Sequence, residues 1–190
     1  MVDVGFINDI KFIISKLPSM RQSLFFSATV PAEVSSIIQS FLKNPVTISV
    51  KVKETAHGID QDVIYIKDKK EKLEKLQSML RSEEFKKVLI FGRTKWGVER
   101  LSNNLQQNGF LAASIHGNKS QNQRLQALSK FRQNQLQVLV ATDVVARGMD
   151  IDDVSHVINY DEPSTYTDYI HRIGRTGRAN KRGKALTFVG

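Results

Sequence analysis

Apolar residues along this chain change rhythm several times, and the changes divide it into elements. Over residues 6–17 they recur at helical spacing, with Phe6, Ile10, Ile13, Ile14 and Leu17 on one face, until Pro18 breaks the pattern. Residues 23–26 form a short run of strand type, Pro31 opens a helix to about residue 42, and 46–50 predicts a second short strand. Residues 51–58 are polar, end in a glycine and read as a linker. From residue 61 a regular alternation begins. Strands are predicted at 63–66, 88–91, 111–115, 136–141, 154–159 and 185–189. Helices are predicted at 69–80, 94–107 and 120–132, with a last one ending before Gly174. Ser120-x-x-Gln123 has the form of a capping box, and Thr165-x-x-Asp168 of a helix start. Continuously apolar strands alternating with helices predict an α/β fold, a parallel sheet covered by helices on both faces.

Residues 59–190 therefore read as one lobe. Residues 1–50 hold too little apolar surface for a core of their own. They are expected to be the tail of a preceding domain, packed against the second lobe or, as a dimer, against a neighbouring copy.

Composition narrows the class. No apolar run approaches the length of a membrane span, no signal-peptide layout opens the chain, and the absence of cysteine excludes disulfides and thiolate metal sites. A cytoplasmic protein is the expectation. The net charge of +9 points to a polyanionic partner. It is unevenly spread, with six cations and four anions in residues 1–57 but twenty-two and fifteen in residues 58–190.

The excess is densest from His171 to Arg178. There Arg172, Arg175 and Arg178 recur every third residue between glycines, and no acid follows to the end. Guanidinium forks match phosphate oxygens, so this reads as a phosphate claw; a solvated basic tail is the plainer alternative.

The motifs decide between them. Residues 1–6 resemble the sequence that follows the acidic box of DEAD-box RNA helicases. Ser27-Ala28-Thr29 is similar to their motif III, and Ile90–Lys95 to motif IV. Gln121-x-x-Arg124 resembles the next element, Ala141–Asp143 with Ala146–Asp150 motif V, and His171–Arg178 motif VI letter for letter. His116–Gln121 looks most like the RhlE-like bacterial branch.

The resemblance implies a RecA-like C-terminal lobe that works with ATP and Mg2+ held mainly by an N-terminal lobe. Arg175 and Arg178 would meet the γ-phosphate as catalytic residues, Arg178 as the arginine finger. Gly148 and Asp150 would face the nucleotide. Thr94, Gly117, Arg124 and Thr142 would contact RNA backbone without reading sequence. Ser27, Thr29 and His171 would couple the lobes, and Arg172 would be structural. Taken singly, Thr94 reads equally as a helix cap and Arg124 as a surface ion pair. Trp96 and Tyr65 could stack on bases, but single aromatics pack into cores more often, and the core is the expectation here.

No Gly-x-x-x-x-Gly-Lys-Ser/Thr loop and no Asp-Glu-Ala-Asp quartet occur. The chain alone is thus expected not to hydrolyse ATP. The competing classes are a non-catalytic RNA-binding or adaptor module and a DNA-directed helicase of the same superfamily.

Overall fold

The computed structural model describes residues 7–26, 38–39, 41–42, 44–48, 58–147, 149, 151, 154–177 and 182–190. The chain divides into two compact units, residues 1–51 and 52–190.

In the first unit, helix α1 (Ile7–Ser15) forms where the spacing predicts it. Its apolar face is only partly covered: Ile10 and Ile14 are half-buried, whereas Phe12 and Ile13 are exposed. The strand expected at 23–26 does not form, and residues 44–48 are not a strand either. A short apolar run becomes a strand only if its backbone groups find a ladder. The helix expected over 31–42 is helical at residues 38, 39 and 41, the rest lying outside the described residues.

The second unit is a six-stranded sheet built from β1 (Ile59–Tyr65), β2 (Val88–Phe91), β3 (Ala112–Ile115), β4 (Val138–Ala141), β5 (His156–Asn159) and β6 (Gly183–Val189). Every pairing is parallel and the spatial order is β1-β6-β5-β2-β4-β3. The connecting helices are α2 (Lys69–Leu80), α3 (Lys95–Gln107), α4 (Gln121–Arg132), α5 (Asp143–Arg147) and α6 (Tyr166–Ile173).

Strand pleating sorts the core into two layers. Val88 and Ile90 of β2 pack with Leu76 and Leu80 of α2 and Val98, Leu101 and Leu105 of α3. Leu89 and Phe91, from the same strand, pack with Leu128 and Phe131 of α4 and Val145 and Ala146 of α5 on the opposite face. Ile173 of α6 packs on Ile59 and Ala185. The central strands β2, β4 and β5 are buried at every position, which is why β2 and β4 read as unbroken apolar runs, while β5 buries His156 and Asn159 at its two ends.

Two elements differ from the sequence expectation. β1 begins four residues early, at Ile59, because it is drawn into register with β6 from Ile59↔Gly183 onward. Its exposed, polar composition is that of an edge strand, and an apolar-run criterion passes over it. α5, only five residues long, is too short for periodicity to reveal. The capping predictions at Ser120 and Thr165 hold: the Ser120 box is complete, and Thr165 Oγ1 accepts from Asp168 N at 3.1 Å.

Candidate functional site

Parallel strands send their following loops to one edge of the sheet, and three of the predicted contact residues gather there. Thr94 follows β2, Thr142 follows β4 and Gly117 follows β3. These strands are neighbours in the order β2-β4-β3. At a strand spacing of about 4.8 Å, the three loops therefore lie within about 10 Å along the edge.

Thr94 caps α3, its Oγ1 accepting from Gly97 N at 3.0 Å. Capping uses a lone pair and leaves the hydroxyl proton to donate, so the cap and a phosphate contact are compatible at one side chain. Thr142 is half-buried, its N donating to Ile115 O at 3.3 Å and its carbonyl accepting from Ala146 N at 3.0 Å. Gly117 sits exposed in the turn after β3, and a Cβ there would meet nothing within 4 Å. Nothing inside the lobe demands a glycine at that position. Gly177 is the contrast: its φ is +69° and a Cβ would strike Ile59 Cγ1 at 2.7 Å. Arg124 projects from the first turns of α4, and its Nε is shielded from solvent without a hydrogen bond to any described residue. The surface ion pair open to it on sequence grounds is not formed with any described residue.

Behind this edge Glu99 of α3 holds the loop after β3. It accepts from Ser114 Oγ at 2.5 Å, lies 2.9 Å from His116 Nε2, and pairs with Lys119 Nζ at 2.9 Å. His116 Nδ1 accepts from Asn118 N at 3.3 Å, which places the ring proton on Nε2, facing Glu99. The Ser114 hydroxyl, followed by His116 and Lys119, pulls the Glu99 carboxyl down to about 2 against the opposing effect of burial.

The basic segment, although it follows the same run of strands, leads away from this edge. Thr176 bridges to Val154, ahead of β5, so α6 runs back from the strand ends and delivers Arg175 to the amino-terminal side of the sheet. Arg175 therefore does not join Thr94, Gly117 and Thr142 at the carboxyl edge, because a helix following a parallel strand returns antiparallel to it. Arg175 is half-buried and its Nη1 donates to Met149 O at 3.3 Å. His171 is half-buried in the last turn of α6. Ser27, Thr29, Gly148, Asp150 and Arg178 lie outside the described residues.

Arg172 turns inward and is 2% exposed. Its Nε and Nη2 grip Asp143 in a fork at 2.7 and 2.8 Å, and Nη1 donates to Asn159 Oδ1 at 3.1 Å and Asp161 O at 2.7 Å. The guanidinium also lies 5.1 Å from the Phe91 ring centroid. Asp161 continues the connection, its Oδ2 accepting from Arg93 N at 2.8 Å. One buried side chain thus joins α6 to the ends of β4, β5 and β2. Sequence reasoning missed Asp143, Asp161 and Glu99 as organisers. Two of them follow a strand end directly, a signal that was readable; Glu99 on a mid-helix turn offered none.

Trp96 is the other departure. Expected in the core, it is 71% exposed. Tyr65 is exposed as well.

Residues 71–180 match the family described as "Helicase conserved C-terminal domain". The chain is 45% identical over all its 190 residues to the DEAD-box ATP-dependent RNA helicase CshA of Bacillus licheniformis, and 44% identical to CshA of Bacillus subtilis. It spans 39% and 38% of those relatives' lengths. Among solved structures, the E. coli DEAD-box protein SrmB, bound to the regulator of ribonuclease activity A, is 38% identical with a TM-score of 0.66. That match covers 69% of this chain and 77% of the other. S. cerevisiae Dbp5 bound to RNA and ADP BeF3 is 30% identical with a TM-score of 0.83, covering all of this chain and 50% of the other.

Proposed function

Because this chain belongs to the helicase conserved C-terminal domain family, in the DEAD-box group, we propose that it works as the second RecA-like lobe of an ATP-dependent RNA helicase. The wording of His116–Gln121 supports a finer place in the RhlE-like branch. The observation that carries the reading is the row of Thr94, Thr142 and Gly117 on adjacent strand ends, with Arg124 beside it. A hydroxyl that can still donate, a turn with room for close approach, and a guanidinium whose Nε has no partner among the described residues suit a sugar-phosphate backbone. They offer nothing aimed at base edges, so this row binds RNA without sequence preference and with strong salt dependence.

ATP, with Mg2+, supplies the free energy that drives closure of the two lobes on RNA. The donor set here fits it in kind: guanidiniums of Arg175 and Arg178 for γ-phosphate oxygens, the Asp150 carboxylate for a ribose hydroxyl, and Gly148 for close backbone approach. Arg178 is the finger, placing positive charge where negative charge builds in the transition state. Arg172, tied to Asp143, Asn159 and Asp161, holds α6 at a fixed angle to the RNA-facing loops. His171, Ser27 and Thr29 take the coupling contacts between lobes, and residues 1–50 belong to the first lobe. The setting is the cytoplasm; no described helix is long and apolar enough to cross a membrane.

The test is Arg178→Ala in the two-lobed protein. ATP binding is expected to persist while hydrolysis falls about 10³-fold or more. Lost ATP binding with turnover retained contradicts the assignment.

A further inference from the structure

The outer face of α3 carries a group of side chains that the backbone contacts do not use. Trp96, Arg100, Asn103 and Gln107 recur at spacings of four, three and four, which sets them on one side of the helix. All four are exposed, while Val98, Leu101 and Leu105 fill the core on the opposite side. Together with Glu99 and Asn104 they line an open cleft of about 320 Å³.

The members of that cleft differ in what they have left to offer. Glu99 is committed to Ser114, His116 and Lys119, and Asn104 Oδ1 accepts from Gln77 Nε2 at 2.9 Å. Among the described residues, the side chains of Arg100, Asn103 and Gln107 make no hydrogen bond. Lys95 Nζ lies 5.8 Å from the Trp96 ring centroid and donates to Asn118 Oδ1 at 3.1 Å, in the turn that carries Gly117. An exposed tryptophan alone says little. This one stands two residues after Thr94 at the start of the same helix, beside the Lys95 ammonium and one turn from the Arg100 guanidinium.

We infer that the first turns of α3 take an unpaired RNA base next to the backbone held at Thr94, the base stacking on Trp96 with Arg100, one turn further on, beside it. The inference rests on the RNA reading proposed above and adds a base contact to a surface otherwise limited to backbone. An indole gives a flat apolar platform open to any base, and Arg100, about 6 Å further along the helix axis, meets the adjoining phosphate.

Trp96 is the sole tryptophan of the chain, so its emission reports this one position. Adding oligouridylate to the chain should quench that emission along the same isotherm that labelled-RNA anisotropy follows. Trp96→Ala should weaken binding about tenfold or more, and Trp96→Phe by only a few-fold. An oligonucleotide with abasic residues should bind the native chain more weakly than intact RNA, yet bind the Trp96→Ala variant as well as intact RNA does. RNA binding without any change in emission, or with Trp96→Ala and abasic RNA both binding normally, overturns the inference and leaves the backbone reading intact. Failure of the native chain to bind RNA at all contradicts the proposed function itself and removes this inference with it.

Discussion

Arg172 and Arg124 both stand on helices that follow a strand, and both lie in segments whose wording resembles helicase motifs, yet the lobe treats them in opposite ways. Arg172 is sunk to 2% exposure with its guanidinium engaged by Asp143, Asn159 and Asp161. Arg124 stands beside the strand-end loops, its Nε without an internal acceptor among the described residues. The difference lies in the partners. A fully matched guanidinium is scaffold, and an incompletely matched one is available to a ligand. Membership in a charged motif does not tell the two apart.

The largest expected effect comes from breaking the matched side. Arg172→Ala leaves Asp143 facing a void and should cost about 3–5 kcal/mol of stability, read as a lower urea midpoint. Replacing Arg172 and Asp143 together by apolar residues should recover much of that loss, since the expense lies in the orphaned charge. A single-variant loss below about 1 kcal/mol would remove Arg172 from its scaffold role.

Glu99 gives the next effect, through pH. Its carboxyl is held at about 2 in the folded lobe, below the ordinary 4.5, so its ionised form favours folding. That contribution is complete above pH about 4.5 and is lost as pH falls towards 2. Glu99 is 30% exposed, so screening reduces the gain to about 1–2 kcal/mol. The stability of Glu99→Gln should therefore vary less with pH between about 5 and 2 than that of the native chain. Parallel pH profiles would count against the network that holds the loop after β3.

The smallest stability changes belong to the open side. Arg124→Ala and Gly117→Ala should each shift stability by no more than about 0.5 kcal/mol. Gly117→Ala has open space around the added methyl, so any loss of RNA affinity in it reports crowding of the ligand rather than of the lobe. Unchanged RNA affinity in Gly117→Ala would mean the strand does not approach that turn.

Much of this arrangement was legible in the sequence. The strands β2 and β4, buried on both faces, announced themselves as apolar runs, and the caps at Ser120 and Thr165 carried recognisable side chains. The edge strand β1 was half lost because its residues face solvent, and the short runs at 23–26 and 46–48 misled because apolarity does not guarantee a ladder partner. Thr94, Gly117 and Thr142 could be placed at strand ends from the alternation alone. Their order along the edge could not, since the strand order β2-β4-β3 differs from chain order. A structural role for Arg172 was expected, but its burial and its partners Asp143, Asn159 and Asp161 come only from the fold. Trp96 was misjudged because single aromatics pack into cores more often than not, and one aromatic on a polar face carries no periodic signature against that tendency.

The central claim is that the strand-end row binds nucleic-acid phosphates through groups the lobe leaves open. Its most direct measurement is the salt dependence of RNA affinity for this chain and for Arg124→Ala. If Arg124 neutralises one phosphate, the slope of log K against log salt should become shallower by about 0.7 in the variant, for oligonucleotides of any sequence. An unchanged slope, or a loss confined to one RNA sequence, would contradict it.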